Sequence, residues 1–551
     1  MQIHRKIAFL IILLSTSWCA YTQVVFEPTY HTVYPYLSRL AQKGVIDLDD
    51  VVLPLSKDYI YSKLDELSSK MTELTPLERE ELAFYLKEYT LWWRQDPKSG
   101  FEGEYKSVFQ TKIGDRFRLA AYQDKGFAVN IQPIVGYESS SSGKFSTSNF
   151  NKGFWAYGYI GKHIGFSVDF RDHVLTGDLD STDYKREFSP ETGRIGIRWD
   201  KNTFKYNEVN AQITAQWKWG YASFGKTYLP IGYGTAGKIF ISEKAPSSPN
   251  FKLVLHPVNW LQFSYTHAWL NSDIVDSTSI YPTTISGKNQ YNYRAKYLAA
   301  HTLTMKPMKG LSVMIGESVI YNNSNYSPTY LVPLMMFIGT DHYLGGNRNN
   351  STSNTQLYFQ VSSRNHIKKT HLYFSYFIDE IRLSGVAGDS SNTRNQTAYQ
   401  LGMSVADFPI KNVSMTLEYA KIRPFAYENY VPAQTYANGG YNLGYWTGTN
   451  SDQLYMDILW RIKRGWNFKF IYQYVRKGDK GTGYQQQYER ATPFLFGDVR
   501  KFEEWGLETN YEIIHDLFVR LSYRARKNSS DTILKNNYSR NTFTLGFNYG
   551  F

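Results

Sequence analysis

Residues 542–551 read TFTLGFNYGF, and the alternation in this stretch decides the fold. Phe543, Leu545, Phe547, Tyr549 and Phe551 alternate with Thr542, Thr544, Gly546, Asn548 and Gly550. A period of two puts the first set on one face of a β-strand and the second on the other. Chain ends are ordinarily frayed and polar. A soluble sheet would also carry charge opposite its apolar face as often as small neutral groups. Here an aromatic face backs onto a small, uncharged one, as expected of a strand with lipid on one side and a filled interior on the other.

The same period recurs upstream. Trp466, Phe468, Phe470, Tyr472 and Tyr474 alternate with Asn467, Lys469, Ile471 and Gln473. Val413, Met415, Leu417 and Tyr419 alternate with Asn412, Ser414, Thr416 and Glu418, and Val519, Leu521, Tyr523 and Ala525 alternate with Arg520, Ser522, Arg524 and Arg526. Strands of about 10 residues suit a tilted membrane crossing. Two kinds of connection mostly alternate between them. One is tight, as at Asp124-Lys125-Gly126, Gly161-Lys162-His163, residues 306–310 (KPMKG) and Arg464-Gly465. The other is long and rich in Ser, Asn, Gly and Tyr, as at 137–153, 271–290, 321–328 and 425–450. Short turns at one end and long loops at the other are the plan of an outer-membrane barrel. The expected fold is an all-β transmembrane barrel of about 18 antiparallel strands over residues 101–551, with lipid as its surroundings. The terminal aromatic strand ending at Phe551 looks like a signal read by the barrel-insertion machinery.

Composition agrees. Aromatic residues make up 17% of 551, with 46 Tyr, yet mean hydropathy is −0.44. Aromatic girdles outside and a polar lumen inside account for both. The formal charge of +12 is spread through turns rather than gathered into a stripe, so nucleic acid is not expected as a partner. At the start, MQIHRK, IAFLIILLS and TSWCAYTQ form a basic segment, an apolar run and a small-residue zone, and residues 1–23 are expected to be a secretory signal peptide. Trp18 before Cys19 disfavours lipidation there. If Cys19 leaves with the leader, disulfides and thiol sites are excluded from the mature chain. The best later apolar run, LVPLMMFIG at 331–339, is broken by Pro333 and far short of the roughly 20 residues a spanning helix needs.

Residues 24–100 read differently. HTVYPYLSRLAQKG, SKDYIYSKLDELSSK and TPLEREELAFYLKEY have apolar residues at helical spacing; Gly44 is a C-cap signal, and Thr75, Pro76 and Glu78 form a capping box. A small N-terminal α-helical bundle is expected, on the periplasmic side. About 70 residues make a marginal core alone, so the bundle is expected to dock at the barrel end.

Several segments resemble the Wzi family of outer-membrane capsule-assembly proteins, particularly its Bacteroidetes-type members. They are YLSRLAQKGVID and LPLSKDYI near the start, APSSPNFKL (245–253), GESVIY (316–321), YLVPLMMF (330–337), FIDEI (377–381), LEYAKIRPFAYENY (417–430) and NLGYWTGTNSDQL (442–454). Where the family shows a Trp-Gly-Pro-Gly-like turn, this chain has YLPIGYG at 228–234. The resemblance implies an 18-stranded barrel closed by a helical bundle. It also implies a lectin-like function, holding capsular or other extracellular polysaccharide at the surface of a Gram-negative cell. Two alternatives stand beside it: a porin-like channel for anionic solutes, and a surface adhesin or motility-associated barrel.

Sugar rings stack on aromatic faces and their hydroxyls pair with polar groups. The loop AYENYVPAQTYANGGYNLGYWTG therefore offers Tyr427, Tyr430, Tyr436, Tyr441, Tyr445 and Trp446 as polysaccharide contacts, with packing as the competing role. Arg520, Arg524 and Arg526 point by strand parity into the lumen, either to attract anions or to pair with Glu508 and Glu512. Asp178, Asp180 and Asp183 have calcium-loop spacing only at the first two positions. His366 and His371 lack a third ligand, and HExxH and GxSxG are absent. No enzyme, metal or cofactor is expected.

Overall fold

The computed structural model describes residues 24–89, 105–110, 116–124, 126–161, 163–179, 189–322, 327–344, 353–380, 395–488, 492–530 and 537–550. The expected leader with Cys19, the aspartates Asp180 and Asp183, and Phe551 lie outside them. Eighteen antiparallel strands close into a barrel. In chain order they are β1 (Phe127–Ser142), β2 (Phe145–Ile160), β3 (Ile164–Gly177), β4 (Thr203–Trp217), β5 (Gly220–Thr227) and β6 (Ser248–Val258). The next six are β7 (Leu261–Trp269), β8 (Tyr297–Met308), β9 (Leu311–Tyr321), β10 (Ser353–Arg364), β11 (Thr370–Glu380) and β12 (Gln396–Ala406). The last are β13 (Val413–Ile422), β14 (Ser451–Lys463), β15 (Trp466–Lys477), β16 (Arg500–Glu512), β17 (Leu517–Ser530) and β18 (Tyr538–Tyr549).

Closure is β18 on β1, with Phe547 opposite Tyr137. Phe543, Leu545 and Phe547 lie outward and about half exposed, at 48%, 51% and 50%, while Gly546 and Asn548 are buried inside. Tyr549 departs from the expected lipid contact: it is buried, and its hydroxyl donates to the Phe117 carbonyl at 2.6 Å. The short strands Tyr105–Gln110 and Arg118–Gln123 extend the sheet beside the first residues of β1 and so cover the foot of β18.

Connections at the end where β1 begins are tight; those at the other end are long. One expected long loop is instead a hairpin. Residues 137–153 are strand on both sides of a turn at Gly143-Lys144, with Ser142 paired to Phe145. Their Ser, Thr and Asn side chains hide the period of two, but the hydroxyls bond across strands, as Ser140 does to Thr544 at 2.9 Å.

Helices α1 (Val33–Gln42), α2 (Lys57–Ser68) and α3 (Pro76–Tyr89) pack together through Leu37, Leu40, Ile60, Leu64, Leu67 and Leu82. Ser56 caps α2 by accepting from the Tyr59 amide, and Thr75 and Glu78 cap α3 reciprocally. The bundle sits on the tight turns. Arg39 donates to Ser414 at 2.8 Å and pairs with Asp407, and Gln42 donates to the Lys369 and Ser404 carbonyls. Arg364 grips Asp50 at 2.9 and 2.7 Å, and Thr32 donates to Glu512 at 2.8 Å. No described helix is long and apolar enough to cross a membrane.

Candidate functional site

Two long connections fold into the lumen. Residues 228–247 run from the loop end down to the bundle: Ile231 bridges both Val52 and Ile241, the Gly232 amide donates to the Val51 carbonyl at 2.9 Å, and Tyr233 donates to Asp50 at 2.8 Å. Glu418 on β13 accepts from the Thr235 and Ala236 amides and from the Tyr373 hydroxyl. Gly234 has φ +152°, and a Cβ there would meet the Gly237 carbonyl oxygen at 1.7 Å, so only glycine fits this fold-back.

Residues 423–450 cover this loop. Tyr427 donates to the Ile239 carbonyl at 2.7 Å; Tyr445 and Trp446 both donate to Gln453, at 2.6 and 3.0 Å. Together with Phe240, Tyr358 and Phe377 they belong to the largest buried cluster among the described residues. The loop aromatics therefore divide. Tyr427, Tyr436, Tyr445 and Trp446 are at most 5% exposed and pack the plug, because a loop that enters the lumen must bury its rings. Tyr441 is half-buried and pins the neighbouring loop, donating to the Arg194 carbonyl at 2.6 Å. Tyr430 is 38% exposed.

The plug leaves the other half of the lumen open. A cavity of about 750 Å³ lies inside β1, β2 and β15–β18 at the loop end, and a second of about 540 Å³ lies below it. Both are lined by Glu138, Asn149, Pro190, Glu191 and Arg520, so one continues the other. The upper cavity, hereafter the vestibule, holds Arg194, Lys477, Arg500, Lys501, Arg520, Arg524, Arg526 and Arg540 against four carboxylates, Glu138, Glu191, Glu504 and Glu508. The three lumen arginines of β17 face inward as parity predicts. Arg524 pairs with Glu508 and, at 2.8 Å, with Glu504, which Arg526 also binds at 2.7 Å. The expected partner Glu512 is not in this network; it lies at the turn end and accepts from Thr32 and the Asp516 amide. Strand register sets Lys477 opposite Arg500, and Arg526 opposite Arg540. Like charges directly opposite one another are unfavourable.

The lower cavity has a floor made by residues 26–30 and the barrel wall. Beneath it Glu27 is fully buried between Lys57 and His31. Burial alone would push Glu27 up, but the Lys57 ammonium and the hydrogen bond with His31 hold it well below the usual carboxylate range. Glu88 is equally buried and is held low by Arg116 and Arg118, the latter at 2.8 Å. The Lys57 ammonium lies 4.9 Å from the ring of Trp155 and 4.7 Å from that of Tyr157 on β2.

Two rings escaped the sequence reading. The short helix Gly483–Tyr488 exposes Tyr484 (70%) and Tyr488 (66%), with centroids 4.9 Å apart. Gln486 ties that helix to the Glu428 carbonyl, and Gly483 lies against Tyr430. The spacing of four between the tyrosines in GYQQQY was the available signal. This loop rises directly from Lys477 and returns at Arg500. His366 and His371 bond to Ser363 and Ser362 separately, and no cluster of three or more metal-ligating side chains occurs among the described residues.

No protein-family model and no curated protein matches the chain. Among solved structures, Wzi, an outer membrane protein involved in group 1 capsule assembly in Escherichia coli and a carbohydrate-binding β-barrel, aligns with TM-score 0.56 and 12% identity, over 96% of this chain and 100% of its own. OccAB2 of Acinetobacter baumannii aligns with TM-score 0.44 and 11% identity, over 77% and 97%. OprD of Pseudomonas aeruginosa aligns with TM-score 0.38 and 12% identity, over 82% and 98%. The fold is that of an outer-membrane β-barrel. Barrels of this fold sit in the outer membrane of Gram-negative cells with their short turns toward the periplasm.

Proposed function

We propose that the protein retains an anionic capsular or other extracellular polysaccharide at the cell surface, without performing a reaction on it. The observation that carries this reading is the vestibule, which eight cationic side chains line against four carboxylates. A polyanion is drawn to such an excess of positive charge and accepts charge-assisted hydrogen bonds from it. Tyr538 on the vestibule wall is 42% exposed, and the exposed rings of Tyr430, Tyr484 and Tyr488 on the external loops offer platforms for sugar rings. The floor beneath favours holding a chain over conducting a solute. The family resemblance, and the likeness to a carbohydrate-binding barrel, support the same assignment.

The test is the ratio of cell-bound to released polysaccharide in a strain lacking the protein and in strains carrying Lys477→Ala with Arg540→Ala. Polymer moving to the medium in both strains, with total synthesis unchanged, is the expected result. An unchanged ratio in the deletion strain overturns the proposal.

A further inference from the structure

The connection between β9 and β10 does not stay in the external medium. Alternate residues of β7–β9 belong to two separate clusters. Ala268, Leu298, Ala300, Met314 and Ile320 pack on the plug inside the lumen. Their neighbours Tyr265, Ala299, Val319 and Tyr321 must therefore face outward, yet they are at most 1% exposed. Tyr330 and Phe337, from the β9–β10 connection, cover them on the outside of the wall. Four bonds hold this flap. Tyr265 donates to the Tyr330 carbonyl at 2.7 Å, and Tyr330 bonds Ser353 at 3.1 Å. Glu317 accepts from the Phe337 and Ile338 amides at 2.7 and 3.3 Å.

What the flap hides is polar. One cross-strand row around the wall runs Leu253, Tyr265, His301, Glu317, Leu357, Ile378. Its ends are apolar, as a lipid-facing row should be, and its middle holds an imidazole 3.1 Å from a carboxylate. Such a pair bare to hydrocarbon is costly. The flap instead offers its own outer surface: Leu331, Val332, Leu334, Met336 and Ile338 are 38%, 46%, 79%, 68% and 37% exposed. Residues 328–340 carry no charge. Lipid-facing Ile315 and Phe359, on the two strands beside the flap, are 46% and 38% exposed and continue the same surface.

We infer that residues 331–338 lie in the outer leaflet, with Leu334 and Met336 among lipid acyl chains. The segment is a membrane-embedded flap that replaces a polar stretch of barrel wall with an apolar one. The test uses the full-length chain in a Cys19→Ser background, labelled at Leu334→Cys with an environment-sensitive fluorophore. The protein is reconstituted in phosphatidylcholine vesicles with or without bromine on the acyl chains. Expected are a blue-shifted emission and several-fold stronger quenching by bromolipid than for a label at Tyr293→Cys, which stands in an exposed external loop. Met336→Cys carries the same test should Leu334→Cys fail to insert. Equal, weak quenching at both positions overturns the inference. So does cross-linking of Leu334→Cys between two copies without quenching, which would make the flap a protein interface.

Discussion

Glu418 is the residue on which the plug hangs. It is 1% exposed and accepts from two amides of the lumen loop and one phenol of β11. Removing a buried acceptor leaves its donors unsatisfied, at about 1–3 kcal/mol each. Glu418→Ala is therefore expected to speed hydrogen exchange at Thr235 and Ala236 by about tenfold or more, while Glu418→Gln, which keeps an acceptor oxygen, has a smaller effect. Exchange unchanged in the alanine variant would remove Glu418 from this role. This residue scale was the least legible in the sequence. Parity points Glu418 inward, but the two amides it holds lie more than 180 residues upstream, as the separations of 183 and 182 show. The same distance hides the fate of Tyr427 and Tyr445: a tyrosine-rich loop reads alike whether it reaches into water or folds back into a lumen.

At the scale of elements, the helices and strands were legible because each has its own period and caps. Residues 137–153 were the exception, because Ser and Asn remove the contrast on which period depends. The docking of the bundle follows a different logic, that of charge. Asp407, in the β12–β13 turn, loses ground to burial but is held well below its usual range by Arg39, and Glu78 on α3 is held low by Lys43 and Arg39. Glu27 and Glu88 are lowered in the same way. Each folded value lies below the unfolded one, so the stability they contribute is present above the ordinary carboxylate range and is lost as pH falls through and below it. Two groups of the bundle itself oppose them. Burial pushes Asp58 up to about 7 and raises Glu81, so these favour the docked bundle less as pH rises toward 7. The lowered set is the larger. Below about pH 4 the bundle is expected to loosen before the barrel melts, since strand ladders do not titrate. Hydrogen exchange across residues 33–89 against that of β8–β14, at pH 3 and pH 6, checks this. Equal protection of the bundle at both values would refute it.

At the scale of the molecule, the lumen is closed twice, side by side. Residues 228–247 and 423–450 fill one half, while the N-terminal segment and its buried ions form the floor of the other. The segments that carry the family resemblance gather at these closures and at the flap: LEYAKIRPFAYENY supplies Glu418 and Tyr427, GESVIY supplies Glu317, and YLVPLMMF is the flap itself. Two closures in parallel make conduction separable by design. The wild-type protein in planar bilayers is expected to pass no steady current. Glu27→Ala should change that, because it leaves Lys57 and its neighbours buried without their carboxylate. Breaking a buried pair in this way costs about 3–5 kcal/mol and loosens the floor under the vestibule alone. The resulting current should favour anions, since the path runs past Arg520, Arg524, Arg526 and Arg540, and a soluble polyuronate added on the loop side should block it. Shortening residues 229–241 opens the other half, which lacks that arginine row, so its current should be less anion-selective and less sensitive to the same blocker. Steady anion current through the wild-type protein would instead show that the floor is no barrier, and the solute-channel reading would replace retention.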